Sequence, residues 1–304
     1  MTTEGSPPPH RRLWSGLITD AETADIGILG VPFDGATSYR RGAALAPAKL
    51  RAITPHIAPY TEEGEPLQGL TVRDYGDVEV DLDWVRFSAR VEEEAAAALR
   101  HRFALFLGGD HSVTIPLAAA SQRAVPVPWG LIHIDAHLDL EDTFEGRRWS
   151  HACTARRVLE LLHFAPEHAA FVGIRSFLDG EKAFLAAHPG VLVRTARAVA
   201  GRGTDEVVAG VTAHLASVDA VYLTLDIDVL DPAFAPGTGT PEAGGVSTRQ
   251  LLDLLRGLHA ALPLRTMDVV EVAPPLDPSD VTAFAAAKVI YETFGWLHGT
   301  DGSA

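Results

Sequence analysis

Two short stretches of the chain end an apolar run in acidic residues two apart. Asp135-x-His137-x-Asp139 follows Leu131 to Ile134, and Asp226-x-Asp228 follows Leu223 to Leu225. A hydrophobic strand has no reason to end this way unless something balances the charge. Divalent cations do so most directly, because aspartate oxygens and imidazole nitrogens are their usual ligands. Residues two apart in an extended segment project to one side, so each set can converge. A further ligand, His111, lies in Gly108-Gly-Asp-His-Ser112, whose glycines permit a sharp turn. Two imidazoles and four carboxylates without sulfur suit hard or borderline ions: Mn²⁺ fits best, ahead of Mg²⁺, Co²⁺, Zn²⁺ or Ni²⁺. Two such ions balance four aspartates, and a hydroxide between them leaves one net negative charge, which favours a cationic substrate. A metal pair also lowers the pKa of bound water and so supplies a nucleophile near neutral pH.

Each motif alone has a plainer reading. Gly-Gly-Asp-His-Ser can be a helix start capped by Asp110 or Ser112, and Asp-x-Asp can be turn chemistry. His133, inside its strand, reads as a buried, hydrogen-bonded histidine and not as a ligand. The elements that carry the motifs decide the matter. Apolar runs read as strands at Ile26 to Val31, Phe103 to Leu107, Trp129 to Ile134, Ala169 to Val172, Val191 to Val193, Val221 to Leu225 and Thr266 to Val270, with an edge strand at Val78 to Val80. Helices read at Pro47 to Ile53, Leu82 to His101, from the Ser112 turn to Ala120, Thr154 to Leu162, Glu181 to Ala187, Asp205 to Leu215, a Ser247-capped stretch to Ala260, and Val281 to Trp296. Strands alternating with helices predict an α/β fold: one parallel sheet with helices on both faces. Ligands bind such sheets outside the carboxyl ends of the strands. His111, the Asp135 to Asp139 group, the Asp226 to Asp228 pair and Glu271 all follow strands, so four strands deliver titratable residues to one edge.

Composition bounds the rest. At 304 residues with 47% hydrophobic and 21% charged residues, the chain has ample material for a core. A single domain is expected over 23–304, behind a polar, proline-rich N-terminal arm at 1–22. The net charge of −15 repels phosphate backbones and argues against a nucleic-acid partner. The single cysteine, Cys153, excludes an intrachain disulfide and a cysteine-rich zinc site; it reads as a small buried residue. With no apolar run of membrane-spanning length, no membrane partner is expected and a soluble cytoplasmic location is.

The chain resembles the ureohydrolases, the arginase and agmatinase family. The resemblance runs from Ile26 to Trp296 and rests on Gly108 to Ser112, Asp135 to Asp139, Ser150-His151, Leu225 to Glu242 and Asp268-Val-Val-Glu-Val-Ala-Pro274. Gly237-Thr-Gly-Thr-Pro-Glu242 and Gly173-Ile-Arg-Ser176 look like the agmatinase branch. The resemblance implies a three-layer α/β/α fold with a mainly parallel sheet of about eight strands. It implies two Mn²⁺ per chain and hydrolysis of a guanidino group to urea and an amine, by attack of a metal-bridging hydroxide on the guanidino carbon. His111 and His137 would each hold one ion, Asp135 and Asp226 would bridge them, and Asp139 and Asp228 would complete the spheres, Asp139 also steering the hydroxide. Glu271 matches the carboxylate that orients the guanidinium, His151 the histidine that passes a proton to the leaving amine. Glu242 is placed for substrate contact or loop stabilisation. A homo-oligomer, trimer or hexamer, is implied as well.

Two departures bear on the substrate. Ala152 follows Ser150-His151 where agmatinases often have glycine. Glu141 stands where arginases place an asparagine for the amino-acid carboxylate, with Asp142 and Glu145 nearby. An anionic rim would repel arginine and attract the ammonium of agmatine, although Arg147, Arg148, Arg156 and Arg157 complicate that balance. The expected reaction is therefore agmatine and water to putrescine and urea, a step of polyamine biosynthesis. Guanidinobutyrase or formiminoglutamase activity is the alternative within the class, and a non-catalytic homologue is disfavoured because every ligand position is filled. Deacetylases of related fold need an adjacent His-His pair, which the chain lacks.

Overall fold

A computed structural model describes residues 12–299. Eight strands form one sheet: β1 (Ile26–Gly30), β2 (Val72–Asp77), β3 (Phe103–Leu107), β4 (Trp129–Ile134), β5 (Phe164–Ile174), β6 (Leu192–Thr195), β7 (Ala220–Asp226) and β8 (Leu264–Val270). Their order is β2-β1-β3-β8-β7-β4-β5-β6, and neighbours pair in parallel. The helices are α1 (Ala46–Ile53), α2 (Trp84–Ala98), α3 (Thr114–Ala124), α4 (Thr154–Val158), α5 (Asp179–Ala187), α6 (Ala196–Arg202), α7 (Thr204–His214), α8 (Thr248–Ala261) and α9 (Val281–Gly299).

Parallel strands buried on both faces are apolar throughout, which is why β3, β4 and β7 read so clearly in the sequence. Two cores result. One packs α1, α7, α8 and α9 against the sheet, the other α2, α3 and α4. The expected three-layer α/β/α fold is what the chain adopts. Among the described residues no helix is long and apolar enough to cross a membrane.

Several boundaries differ from the sequence reading, each for a local reason. The edge strand is Val72–Asp77, not Val78–Val80: it carries Arg73, Asp74 and Asp77 and is only partly buried, so it lacks the apolar run that marks the central strands. The helix at Thr154 ends at Val158 instead of Leu162, and the next strand starts at Phe164. A further helix, α6, begins where Thr195 Oγ1 accepts the Ala198 N–H at 3.1 Å. Ser247 does cap α8, accepting the Gln250 N–H. Of the segment read as an arm, residues 1–11 lie outside the described residues. From Leu13 onward the chain joins the domain: Trp14 is fully buried and its Nε1 donates to Asp74 at 2.6 Å.

Candidate metal centre

The carboxyl ends of β3, β4, β7 and β8 lie side by side, so the four motifs meet there. After β3, the chain turns so tightly that a Cβ on Gly109 would fall 1.8 Å from the Phe33 carbonyl oxygen. Asp110 then caps the turn that opens α3, accepting Ser112 N–H at 3.0 Å and Ala36 N–H at 2.7 Å. This delivers His111 with Nδ1 3.1 Å from Asp135 Oδ2, 3.1 Å from Asp139 Oδ2 and 3.3 Å from Asp226 Oδ2. His137 Nδ1 lies 3.1 Å from Asp228 Oδ2 and 3.4 Å from Asp135 Oδ1. Asp135 thus faces both imidazoles. All six residues of the sequence expectation converge, and only His137 is more than slightly exposed.

Two backbone features sharpen the convergence. Asp139 and Glu271 adopt φ of 52° and 60°, a region that costs non-glycine residues energy and that persists where surrounding structure enforces it. In both cases it turns a strand-end carboxylate back toward the cluster.

Several buried polar atoms have no hydrogen-bond partner: His111 Nδ1, Asp135 Oδ2 and Asp228 Oδ2. Burial and the nearby charges of Asp228 and Asp135 hold Asp226 well above the usual carboxylate range. Burial alone would lower the pKa of His111, but the carboxylates of Asp135, Asp139 and Asp226 close to its Nδ1 hold it well above its ordinary value. His137 is likewise raised against burial, by Asp228 and Asp135. Crowded buried carboxylates holding protons on neighbouring imidazoles lack positive charge, and divalent ions supply it. Oxygen and imidazole donors fit such ions. The centre is a His/Asp metal-binding cluster with donors for two adjacent ions.

His133 departs from its expected role. It is buried, as read, but neither ring nitrogen finds a hydrogen bond. Its ring stacks on His111 at 4.8 Å and 4°, with Nε2 2.9 Å from Asp135 Oδ2, so it belongs to the cluster. The signal was available: His133 continues the two-residue period of Asp135, His137 and Asp139 backwards along β4.

A cavity of about 170 Å³ opens beside the cluster. His137, Asp139 and Asp226 of the cluster line it, together with His151, Ser38, Ser176, Thr240, Phe144, Ala152, Leu178 and Glu181. His151 Nδ1 sits 3.1 Å from Glu271 Oε1 and its Nε2 2.8 Å from Ser38 Oγ. Burial would lower the His151 pKa, but Glu271, Asp139 and Asp110 push it up to about 9. Glu271 is buried behind His151, and its Oε1 also accepts the His111 N–H at 3.0 Å.

Of the two roles read for Glu242, the structure supports loop stabilisation. Glu242 acts through its main-chain carbonyl, which accepts Arg175 Nε and Nη2 at 3.1 and 2.6 Å, and Thr240 lines the cavity instead. Arg175 also donates to the carbonyls of Gly173, Asp228 and Val229, and Arg40 to those of Thr238 and Gly239. Two arginines therefore clamp the glycine-rich loop: Arg175, which lies in the Gly173-Ile-Arg-Ser176 motif, and Arg40, to which the sequence reading assigned no role. Ser38 was missed as well, because nothing in its spacing relates it to His151, 113 residues away. Of the expected anionic rim, Glu141 lies near enough to the cavity-lining Glu181 to raise its pKa, whereas Asp142 and Glu145 do not line the cavity. Asp142 pairs with Arg148 and Arg157, and Glu145 with Arg147, on the outer surface. The carboxylate that lines the cavity outside the cluster is Glu181, which accepts Leu178 and Leu140 N–H at 2.7 and 3.3 Å; burial raises its pKa to about 7.

Comparison with known proteins agrees with this geometry. A model of the arginase family matches residues 24–295. The guanidinobutyrase of Pseudomonas aeruginosa is 34% identical over 288 residues, covering 92% of this chain and 88% of its own. The agmatinase of Chromobacterium violaceum is 35% identical over 275 residues, covering 89% and 83%. Among solved structures, the proclavaminate amidino hydrolase of Streptomyces clavuligerus superposes with a TM-score of 0.84 at 30% identity, covering 96% of this chain and 97% of its own.

Proposed function

The chain belongs to the arginase family, and we propose that it is an agmatinase, releasing urea and putrescine from agmatine with two Mn²⁺ bound at the cluster. One observation carries the choice among guanidino substrates: apart from the proposed ion ligands Asp139 and Asp226, the cavity is lined by one carboxylate, Glu181, and by no lysine or arginine. A substrate with a carboxylate tail, such as guanidinobutyrate, would bring its negative charge beside Glu181, in a cavity with no lysine or arginine to pair with it. Agmatine brings a guanidinium at one end and an ammonium at the other, and both signs match.

Under this reading His111, Asp135, His137, Asp139, Asp226 and Asp228 would together hold the two ions. When bound, such a pair supplies Lewis acidity and a hydroxide nucleophile near neutral pH. Asp139, which lines the cavity, would accept a hydrogen bond from the attacking water and so orient it toward the guanidino carbon. Glu271 draws the guanidinium in by charge and holds His151 in place. His151, set between Ser38 and Glu271, delivers a proton to the leaving amine. Ser38 and Thr240 offer hydroxyls to the guanidino nitrogens, while Phe144 and Leu178 pack against the methylenes. Glu181 sits where the far ammonium of a four-carbon chain ends.

The decisive experiment is urea release, with manganese added, from agmatine, 4-guanidinobutyrate, 3-guanidinopropionate, arginine and formiminoglutamate. A kcat/KM at least tenfold higher for agmatine is expected. A preference for any substrate with a carboxylate overturns the proposal. Asp139→Ala and Asp226→Ala should abolish turnover while the protein still melts cooperatively.

A further inference from the structure

We infer that Thr224 and Asp268 are positioning residues for the metal centre, forming with His111 a relay that dictates which imidazole nitrogen faces the ions. The inference rests on the reading above, in which His111 is a ligand.

The relay follows from strand period. Thr224 lies two residues before Asp226 on β7, and His133 two before Asp135 on β4. Asp268, two before Val270 on β8, is in register with Thr224, which is in register with His133. A row of polar side chains therefore crosses the centre of the sheet one step beneath the ligands. All of them are essentially inaccessible to solvent. Burying a carboxylate there is costly, and apolar side chains on the same strands would be cheaper. The neighbouring positions Leu223, Leu225, Met267 and Val269 are in fact apolar.

Proton bookkeeping gives the row its direction. Asp268 accepts three hydroxyls: Thr224 Oγ1 at 2.6 Å, Tyr222 Oη at 2.7 Å and Thr114 Oγ1 at 2.8 Å. The single Thr224 proton is committed to Asp268, so Thr224 can meet His111 Nε2, 2.8 Å away, only as an acceptor. Nε2 must then carry a hydrogen. Once the imidazole is neutral, its lone pair is left on Nδ1, the atom facing Asp135, Asp139 and Asp226. Without the relay the opposite tautomer, with an N–H aimed at the ion, becomes accessible. A hydrogen-bonded carboxylate behind a histidine ligand also raises its basicity.

The test is Mn²⁺ binding to the metal-free full-length protein, followed by electron paramagnetic resonance of the free ion. Variants are Thr224→Val, Thr224→Ser, Asp268→Asn and Tyr222→Phe. Thr224→Val and Asp268→Asn should weaken one of the two ion sites roughly 10- to 100-fold and leave the other within about threefold. Thr224→Ser should restore binding to within about threefold, which a purely packing role for Thr224 would not predict. The double variant should be little worse than Thr224→Val alone, because both break one chain. Tyr222→Phe touches only Asp268, so it tests the relay even if the other variants fold poorly; a weakening of the same site is expected. Unchanged affinity at both sites in folded Thr224→Val overturns the inference while leaving the metal reading intact. A wild-type chain that binds no Mn²⁺, or a His111→Ala variant that binds both ions normally, overturns the metal reading itself.

Discussion

His151 Nδ1 lies 3.1 Å from Glu271 Oε1, and this contact joins the cavity wall to the metal cluster, because the same oxygen accepts the His111 N–H. One carboxylate oxygen thereby fixes a proposed proton donor and a proposed metal ligand at once. Glu271 holds its backbone at φ 60° to do so.

The contact predicts a measurable titration. In the metal-free protein, burial lowers the His151 pKa but Glu271 and the other acids push it up to about 9. Stability from this raised pKa is complete below the unfolded value near 6.5 and is lost as pH rises through about 9. In nuclear magnetic resonance titrations of metal-free protein, His151 should change state near pH 9, and in Glu271→Gln below pH 7. Identical titrations in the two proteins would remove Glu271 as the cause.

Metal uptake should release protons. His111 and His137 are held protonated by their carboxylate neighbours, and an ion takes the place of each proton. Calorimetry of Mn²⁺ binding at pH 7.5 in buffers of different ionisation enthalpy should give about one proton released per imidazole ligand. A binding enthalpy independent of buffer would contradict that account of the cluster.

Glu181 should make the fold more stable on the acid side of neutrality. Burial raises its folded pKa to about 7, above the ordinary 4.5. The native state then binds more protons than the unfolded state between these values, so stability falls as pH rises from 4.5 through 7, by on the order of 3 kcal/mol. Urea midpoints of wild type and Glu181→Gln across that range provide the check. Equal slopes in the two proteins would mean that Glu181 does not contribute.

Gly109 tests the turn that delivers His111. A methyl group there would collide with the Phe33 main chain, so Gly109→Ala should cost about 1–3 kcal/mol and weaken Mn²⁺ binding as His111 moves. Gly201, inside α6 with open space around its Cβ position, is the control. There, alanine should stabilise the protein by up to about 1 kcal/mol. Thermal melts with and without Mn²⁺ read both effects, and a neutral Gly109→Ala would show that the turn has slack.

Sequence alone determined the central strands and the ligands at their ends. Buried parallel strands must be apolar throughout, and Asp-x-His-x-Asp or Asp-x-Asp closing such a run conflicts with burial unless cations are held. Strand period then placed Asp135, His137, Asp139, Asp226 and Asp228 on common sides. That same period could have included His133 and Thr224, but a buried histidine or threonine has plainer explanations until a neighbour is seen. Tertiary structure alone decided which distant groups meet. Ser38 reaches His151, Arg175 and Arg40 clamp the loop before Glu242, and Asp268 stands in register with Thr224, through pairings made across tens to hundreds of residues. It also decided which carboxylate outside the cluster lines the cavity. Asp142 and Glu145 pair with arginines, whereas Glu181, the inconspicuous partner of a helix start, lines the cavity. Local pattern encodes which face a side chain takes, but partners depend on how strands are ordered and loops close, and no spacing along the chain records that.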